Sequence, residues 1–211
     1  NNIGAFHQPL AVLSDTGVLA SLPAREFRNG MAEVVKSAVI RDAGLFGYLE
    51  DHLDNVMQRD EYVMERIVSI TAEIKSGVVQ EDERDSGLRN ILNFGHTVGH
   101  GVETASEFSL SHGEAVSIGM IAACRIAIGM GMLDEQEVER LRSLLVRVGL
   151  PVTVPPHIDA GSVFAAMARD KKVSRGRNRF ILPTRIGEVA IRSDVPATLI
   201  EETLHSSYAI A

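Results

Sequence analysis

The sequence predicts a mainly α-helical domain with a short strand remnant at its start and a small β-hairpin near its end. Most of the chain repeats apolar residues three and four positions apart, which is the spacing of an amphipathic helix. Only two stretches resemble strands: the apolar run at 11–13, which ends at the turn signal SDTG, and RFILPTRIGEVAIR at 179–192. With 211 residues, 45% of them hydrophobic, the chain can bury one sizeable core.

Charge and cysteine content exclude several classes of protein. A net charge of −7 argues against a nucleic acid or an anionic membrane surface as a partner. Cys124 is the single cysteine, so no intrachain disulfide forms, and its apolar neighbours predict an inert buried thiol.

No signal peptide opens the chain and no apolar run is long enough to span a bilayer, which predicts a cytoplasmic protein. Because the first residue is Asn1 and not Met, we expect an amino-terminal portion to be missing.

The helical pattern begins at residue 23. It recurs at 23–53, 61–80, a segment after Gly87, 112–133, 134–148, 160–172 and 196–208. The segment 112–133 is hydrophobic nearly all round, which predicts a central, buried helix. The segment 134–148 has an acidic start and is followed by Gly149 and Pro151, which are stop signals for a helix.

The sequence RNILNFGHTVGH carries an unusual polar stripe. If this segment is one helix, Arg89, Asn93, His96 and His100 point within a narrow arc. A solvated helix face usually carries Lys and Glu, whereas this one carries groups that coordinate metals and form hydrogen bonds. The stripe therefore predicts a buried binding surface.

Histidines and a glutamate suggest a metal site. His96 and His100, four residues apart on a helix, can converge on one ion. His112 begins the next helix after a serine-containing loop, and Glu33 shares a helix face with Lys36. A glutamate with two histidines is a plausible zinc set that leaves one coordination position open. The alternative is that each histidine is a hydrogen-bonded core or surface residue and that Glu33 and Lys36 form a surface ion pair.

Four cationic side chains are candidates for binding an anion: Lys75, Arg89, Lys171 and Lys172. Lys75 ends an apolar helix face and Arg89 opens the polar stripe. The alternative is that each is a solvated charge and that the stretch DKKVSRGRNR is a basic loop. Composition and spacing thus predict a helical domain with a possible zinc site beside cations, and they predict no particular reaction.

Four motifs, in order, resemble the carboxyl-terminal part of the 3-dehydroquinate synthase family: LPAREFRNGMAEVVK, RNILNFGHTVGH, HGEAVSIGM and DKKVSRGRNRFILP. The resemblance covers essentially the whole chain. It implies that residues 1–22 are the tail of an α/β NAD-binding domain and that residues 23–211 form a helical metal- and substrate-binding domain. The implied reaction converts 3-deoxy-D-arabino-heptulosonate 7-phosphate to 3-dehydroquinate and phosphate, in the shikimate pathway, with NAD and a divalent metal, zinc or cobalt.

The resemblance also implies residue roles. It implies that the metal ligands are Glu33, His96 and His112, and that His96 and His100 do not bind the ion together. The implied catalytic residues are Lys36, Asn93 and His100. The implied substrate contacts are Asn1, Lys36, Lys75 and Arg89 (the last two for a carboxylate), with Asn93, His100 and one of Lys171 or Lys172 near the phosphate. The implied NAD contacts are Val18, Leu19, Ala20 and Ser21.

Some positions depart from the family pattern. They are Ser37 in place of Tyr, Val98 in place of Phe, Gly101 in place of Ala, and Ser111 in place of Leu. None removes an implied ligand, but they leave open a related sugar-phosphate cyclase, such as a 2-deoxy-scyllo-inosose or 2-epi-5-epi-valiolone synthase. A polyol dehydrogenase of the glycerol-dehydrogenase type and a metal-free module without activity are further alternatives. The family also implies a homodimer, and we expect the chain on its own to be inactive because it lacks most of the NAD site.

Overall fold

The computed structural model describes residues 9–84, 87–173 and 179–207, except for the side chains of 170–173. These ranges contain eight α-helices, two 3₁₀ helices and one antiparallel hairpin. The α-helices are α1 (Ala24–Arg41), α2 (Ala43–Met57), α3 (Glu61–Glu81), α4 (His96–Ala105), α5 (His112–Gly129), α6 (Glu135–Val148), α7 (Ala160–Val173) and α8 (Ala197–Ser206). The 3₁₀ helices are Thr16–Ser21 and Leu88–Asn93, and the strands are β1 (Phe180–Arg185) and β2 (Glu188–Arg192). The prediction of a mainly helical fold with a late hairpin is confirmed.

Helix α5 is the centre of the fold, as its uniformly apolar sequence predicts. It packs against α1, α4, α6, α8 and β1, and 13 of its 18 residues are buried. Cys124 lies within this helix, where burial raises the pKa of its thiol, in agreement with an inert core cysteine. None of the helices in the described ranges is both long and apolar enough to cross a membrane.

Glycines allow α4 and α5 to approach until their backbones touch. A Cβ atom on Gly119 of α5 would lie 1.9 Å from the carbonyl oxygen of Gly95, and one on Gly99 would lie 3.0 Å from the carbonyl oxygen of Ala115. Gly95, which precedes α4, adopts the left-handed conformation with φ of +77°, which favours glycine. These contacts fix the distance between the two helices, whose first residues are His96 and His112.

Two predicted helices are interrupted. The stretch predicted as one helix from 23 to 53 breaks at Asp42, which has an extended backbone and whose side chain accepts a hydrogen bond from the Leu45 amide at 2.9 Å. This contact caps the start of α2. The single helix predicted through the polar stripe is also wrong. Arg89 and Asn93 lie on the second 3₁₀ helix, and Gly95 turns the chain before α4 begins at His96.

The amino-terminal stretch differs from its prediction. Residues 9–15 form no regular element, so the predicted strand at 11–13 is wrong within the part of the chain that the structure describes. A strand needs a hydrogen-bonded neighbour, and the described strands pair only with each other. The following 3₁₀ helix is held by Arg59, which donates to the carbonyl oxygens of Leu19, Ala20 and Leu22 at 2.6–2.9 Å.

The hairpin matches its prediction and is attached to the helical body. Its strands pair antiparallel, with Ile181 opposite Ile191. At the turn, the Gly187 amide donates to the Val39 carbonyl oxygen of α1 at 2.9 Å. Gly187 has a φ of +93°, and a Cβ there would lie 2.8 Å from the Ala43 nitrogen. The turn is therefore seated against the junction of α1 and α2.

We expect Gly119→Ala to lower the free energy of unfolding by about 1–3 kcal/mol, because the added methyl group forces α4 and α5 apart. Helix propensity alone predicts the opposite sign, since alanine favours a helix by up to about 1 kcal/mol over glycine. Gly47→Ala in α2 is the matched control, because a Cβ at that position would meet no atom of another element within 4 Å. Urea denaturation should show Gly47→Ala unchanged or stabilised. Equal stability of the two variants would contradict a backbone contact at Gly119.

Candidate metal centre and substrate cavity

The structure brings Glu33, His96 and His112 together from three helices. Glu33 Oε1 lies 3.8 Å from His96 Nε2 and 3.6 Å from His112 Nε2. The three ligand atoms all lie within 4.8 Å of one another. At a tetrahedral zinc with bonds of about 2.0–2.1 Å, ligand atoms are separated by roughly 3.3 Å, so this arrangement is close to one that can share an ion.

The carboxylate oxygen at the centre of this group, Glu33 Oε1, is buried and has no hydrogen-bond partner among the described residues. A buried carboxylate oxygen without a partner carries a large desolvation cost, and a bound cation removes that cost. The unpartnered oxygen and the two imidazole nitrogens that face it therefore fit a divalent metal ion.

The remaining polar atoms of Glu33 and His96 are held by neighbours. Glu33 Oε2 accepts a hydrogen bond from Lys36 Nζ at 2.6 Å. His96 Nδ1 lies 3.0 Å from the Phe94 carbonyl oxygen, an acceptor, so the ring proton belongs on Nδ1. The lone pair of His96 Nε2 is then free to face Glu33 Oε1, as a metal ligand requires.

Burial keeps His96 neutral. Loss of hydration lowers the pKa of His96 to about 4, and the nearby charge of Lys36 acts in the same direction. Burial opposes the ionisation of Glu33, but the charge and hydrogen bond of Lys36 outweigh it, so the pKa of Glu33 is lowered. Near neutral pH the group therefore offers a carboxylate and a neutral imidazole, which are the protonation states that bind a metal.

Lys36 does not form the surface ion pair considered from the sequence. Its side chain is only 7% exposed, whereas that of Glu33 is 41% exposed. Burial lowers the pKa of Lys36, Glu33 partly opposes this effect, and the positive charge of Lys75 adds to it. The residue is thus a buried cation that touches the carboxylate of the candidate metal site.

Contacts between α1 and the start of α5 position His112. The Gly113 amide donates to Asn29 Oδ1, and a Cβ on Gly113 would lie 2.3 Å from the Asn29 carbonyl oxygen. Arg25 donates to Glu114 Oε2 at 2.9 Å and to the Ser109 carbonyl oxygen at 3.1 Å. Glu114 also accepts from the Ser111 amide and completes a capping box. The first turn of α5 is therefore fixed against the helix that carries Glu33.

His100 lies beside the metal group. Its ring centroid is 5.3 Å from that of His96 and 6.1 Å from that of His112. His100, Glu103 and His112 form a second set of ligand atoms within 4.8 Å of one another. No group found among the described residues contains both His96 and His100, so the structure gives no support to their pairing as ligands. His100 also lines a cavity of about 490 Å³ between α4 and α7.

Lys75 and Arg89 line one larger cavity. Its volume is about 740 Å³, and its walls come from the amino-terminal stretch, the exposed face of α3 and the second 3₁₀ helix. Lys75 is exposed and Arg89 is partly buried. The two cations that the resemblance assigns to one carboxylate therefore face the same space.

The other predicted site residues are distributed around this region or lie outside the description. Asn93 is exposed at the end of the second 3₁₀ helix, and Val18, Leu19, Ala20 and Ser21 lie on the first. Asn1 and the side chains of Lys171 and Lys172 lie outside the described residues.

Sequence reasoning missed four residues that support the site: Arg25, Asn29, Glu103 and Glu114. The motif SHGE contains a recognisable capping box, which indicates that Glu114 caps α5. No sequence signal indicates that Asn29 and Arg25 contact this cap from α1, because that contact depends on tertiary packing.

Comparison with protein families and curated relatives gives a consistent result. A family model described as 3-dehydroquinate synthase C-terminal matches residues 30–173. A 3-dehydroquinate synthase of Nostoc punctiforme is 46% identical over 207 residues, which cover 97% of this chain and 57% of the relative. One from Dehalococcoides mccartyi is 49% identical over 195 residues, which cover 92% of this chain and 54% of the relative. The chain thus spans about half the length of the curated relatives it matches.

Solved structures that are similar to this chain include two cyclases. A 2-epi-5-epi-valiolone synthase from Streptomyces hygroscopicus, with NAD+ and Zn2+ bound, has a TM-score of 0.87 at 33% identity, covering 98% of this chain and 57% of that one. A 2-deoxy-scyllo-inosose synthase complexed with carbaglucose-6-phosphate, NAD+ and Co2+ has a TM-score of 0.80 at 28% identity, covering 92% and 55%. Both are similar to this chain over the helical region described above.

We expect His112→Ala to lower the bound zinc or cobalt sharply while helicity is retained, because the variant removes one of the three candidate ligands. Metal content after dialysis measures the effect, and circular dichroism checks the fold. His157→Ala is the matched control, since His157 is exposed and belongs to neither ligand group. Stoichiometric metal in the His112→Ala variant would disprove the assignment.

Proposed function

The chain belongs to the 3-dehydroquinate synthase family, and on that premise we propose that its protein converts 3-deoxy-D-arabino-heptulosonate 7-phosphate to 3-dehydroquinate and phosphate. The observation that carries this proposal is the buried, unpartnered Glu33 Oε1 facing His96 Nε2 and His112 Nε2. This is a ligand set with three protein donors, as catalytic zinc sites have. The enzyme is a carbon–oxygen lyase of the shikimate pathway in this proposal.

In the proposed arrangement, residues 1–22 end an NAD-binding domain and residues 23–211 form the helical domain. NAD and a divalent metal, zinc or cobalt, are the proposed cofactors, and the solved relatives that contain NAD+ with Zn2+ or Co2+ support them. When bound, the metal supplies a Lewis acid that polarises a substrate hydroxyl, and NAD accepts and returns a hydride. Val18, Leu19, Ala20 and Ser21 are proposed contacts of NAD.

The protein residues bind, orient and move protons. Lys36 holds Glu33 through Oε2, which leaves Oε1 directed at the two histidines. His100 lines the cavity beside α7, where we propose that it contacts the phosphate region and transfers a proton. Asn93 and one of Lys171 or Lys172 are the proposed phosphate contacts, and Asn1 is a further proposed substrate contact.

Lys75 and Arg89 are proposed to bind the substrate carboxylate. Arg89 presents a planar fork of donors suited to a bidentate carboxylate, and Lys75 adds a compact positive charge. Both line the cavity of about 740 Å³, which is large enough for a sugar-phosphate-sized molecule. Their presence favours a substrate with a carboxylate over the neutral sugar phosphates of related cyclases.

A second candidate function is that of a related cyclase, a 2-epi-5-epi-valiolone or 2-deoxy-scyllo-inosose synthase. The similarity to solved structures of both enzymes favours it. An assay that offers substrates with and without a carboxylate separates the two functions.

A polyol dehydrogenase is the third alternative, and release of phosphate without net formation of NADH separates it from both cyclase functions. A cytoplasmic homodimer is the proposed form of the protein, and sedimentation of the complete enzyme tests the dimer.

We expect Arg89→Ala in the complete enzyme to lower kcat/KM at least about tenfold, since losing one partner of a desolvated charge pair costs on the order of 2–5 kcal/mol. Metal content should not change, because Arg89 belongs to neither ligand group. Arg84→Ala is the control, as an exposed arginine that lines none of the cavities described above. Equal effects of both substitutions, with equal turnover of a carboxylate-free analogue, would favour a cyclase for neutral sugars.

We expect the 211-residue chain alone to bind NAD weakly and to release no phosphate from the substrate, because hydride transfer depends on a cofactor site that this domain forms only in part. Calorimetric titration with NAD and a phosphate-release assay measure these properties. The control is metal binding by the same chain, which should persist because all three proposed ligands are present. Micromolar NAD affinity or turnover would contradict the proposed division into domains.

A further inference from the structure

Glu103 contacts His112, one of the two proposed histidine ligands. The contact is with the Nδ1 atom of the ring, for which the described residues offer no other partner. Glu103 Oε2 lies 3.5 Å from His112 Nδ1, and the Glu103 side chain is 22% exposed. Glu103 follows His96 by seven residues on α4, which is about two helical turns, so both side chains lie on the same face of that helix. His112 therefore meets His96 on one side, with ring centroids 5.1 Å apart, and Glu103 on the other.

A carboxylate at this position selects one form of the imidazole. A neutral histidine carries a proton on one ring nitrogen only, and an ionised carboxylate can accept a hydrogen bond but cannot donate one. Glu103 thus favours the proton on His112 Nδ1 and leaves the lone pair on Nε2, which lies 3.6 Å from Glu33 Oε1. Contacts of this kind orient metal-binding histidines and increase their basicity.

His96 has the corresponding contact through its Nδ1, and there it is a hydrogen bond, with the Phe94 carbonyl oxygen at 3.0 Å. Both histidines then present Nε2 to the same carboxylate oxygen. The contact at His112 is longer, at 3.5 Å, and the His112 ring is more exposed, 42% against 13% for His96. Because His112 is less confined by packing, its orientation depends more on Glu103.

Glu103 could instead be a ligand, because His100, Glu103 and His112 form the second group of donor atoms. Two observations favour the first group. Glu33 Oε1 is buried and has no hydrogen-bond partner among the described residues. Neither carboxylate oxygen of Glu103 combines these two properties. In addition, His100 is exposed, whereas the His96 side chain is only 13% exposed.

We propose that Glu103 is a positioning residue for the metal centre, which holds His112 with its Nδ1 proton toward α4 and its Nε2 lone pair toward Glu33 and His96. This inference rests on the proposed metal site. It assigns Glu103 to the support of a ligand.

The test is the affinity of the complete protein for Co2+, measured by competition with a chelator. Glu103→Ala should weaken binding by about 10–100-fold, the range found for supporting residues of metal sites. Glu103→Gln, whose amide oxygen can still accept from Nδ1, should recover most of this loss. The visible spectrum of bound Co2+ should be the same in Glu103→Gln and the unmodified protein, because the ligands are unchanged. Glu107→Gln removes an exposed carboxylate four residues away and should leave the affinity unaltered.

Four outcomes would overturn the proposal. Two concern affinity at Glu103: Glu103→Ala binds Co2+ as tightly as the unmodified protein, or Glu103→Gln binds it no better than Glu103→Ala. The third is a Co2+ spectrum of Glu103→Gln that changes as it would after loss of a ligand. The fourth is a loss of Co2+ affinity in His100→Asn as large as that in Glu33→Gln. Urea denaturation of the metal-free variants checks that each one folds. If Glu33→Gln and His112→Ala both keep the metal, the proposed site itself fails. If both lose the metal while Glu103→Ala keeps it, only the role of Glu103 fails.

Discussion

The candidate site depends on the direct backbone contact between α4 and α5. Gly119 lies so close to the carbonyl of Gly95 that no side chain fits between them, and Gly99 lies against the backbone of Ala115. Since His96 is the first residue of α4 and His112 the first of α5, the separation of the helices sets the separation of the two imidazoles. The contacts of Asn29 and Arg25 with the start of α5 then bring Glu33 to the same point.

Much of the helical fold could be predicted from the sequence, because amphipathic spacing and capping residues are local signals. The limits of α3 and α6 follow from such signals almost to the residue. The break at Gly95 in the polar stripe could not be predicted. A single left-handed glycine separates two helices there without changing the apolar pattern of the sequence. The burial of Lys36 was not predictable either, because it depends on which helices cover that face.

The metal group illustrates the same limit. Spacing along one helix suggests His96 with His100, because a separation of four residues is visible in the sequence. The structure instead groups His96 with residues from α1 and α5, and the order of the motifs suggested this set only through resemblance to a family. Both histidines are the first residues of their helices, so no pattern within either helix brings them together.

The close pairing of Lys36 with Glu33 has a thermodynamic consequence. Their formal charges cancel, so a dication beside Glu33 would meet a carboxylate whose charge Lys36 already matches. Lys75 adds a positive charge and Glu103, beside His112, adds a negative one, so a bound dication would leave this region with a net positive charge. An anion would then bind more tightly to the metal-loaded protein, and by reciprocity the anion would retain the metal by the same factor. In the proposed enzyme, loss of the cation would be opposed most strongly while an anionic molecule is bound beside it.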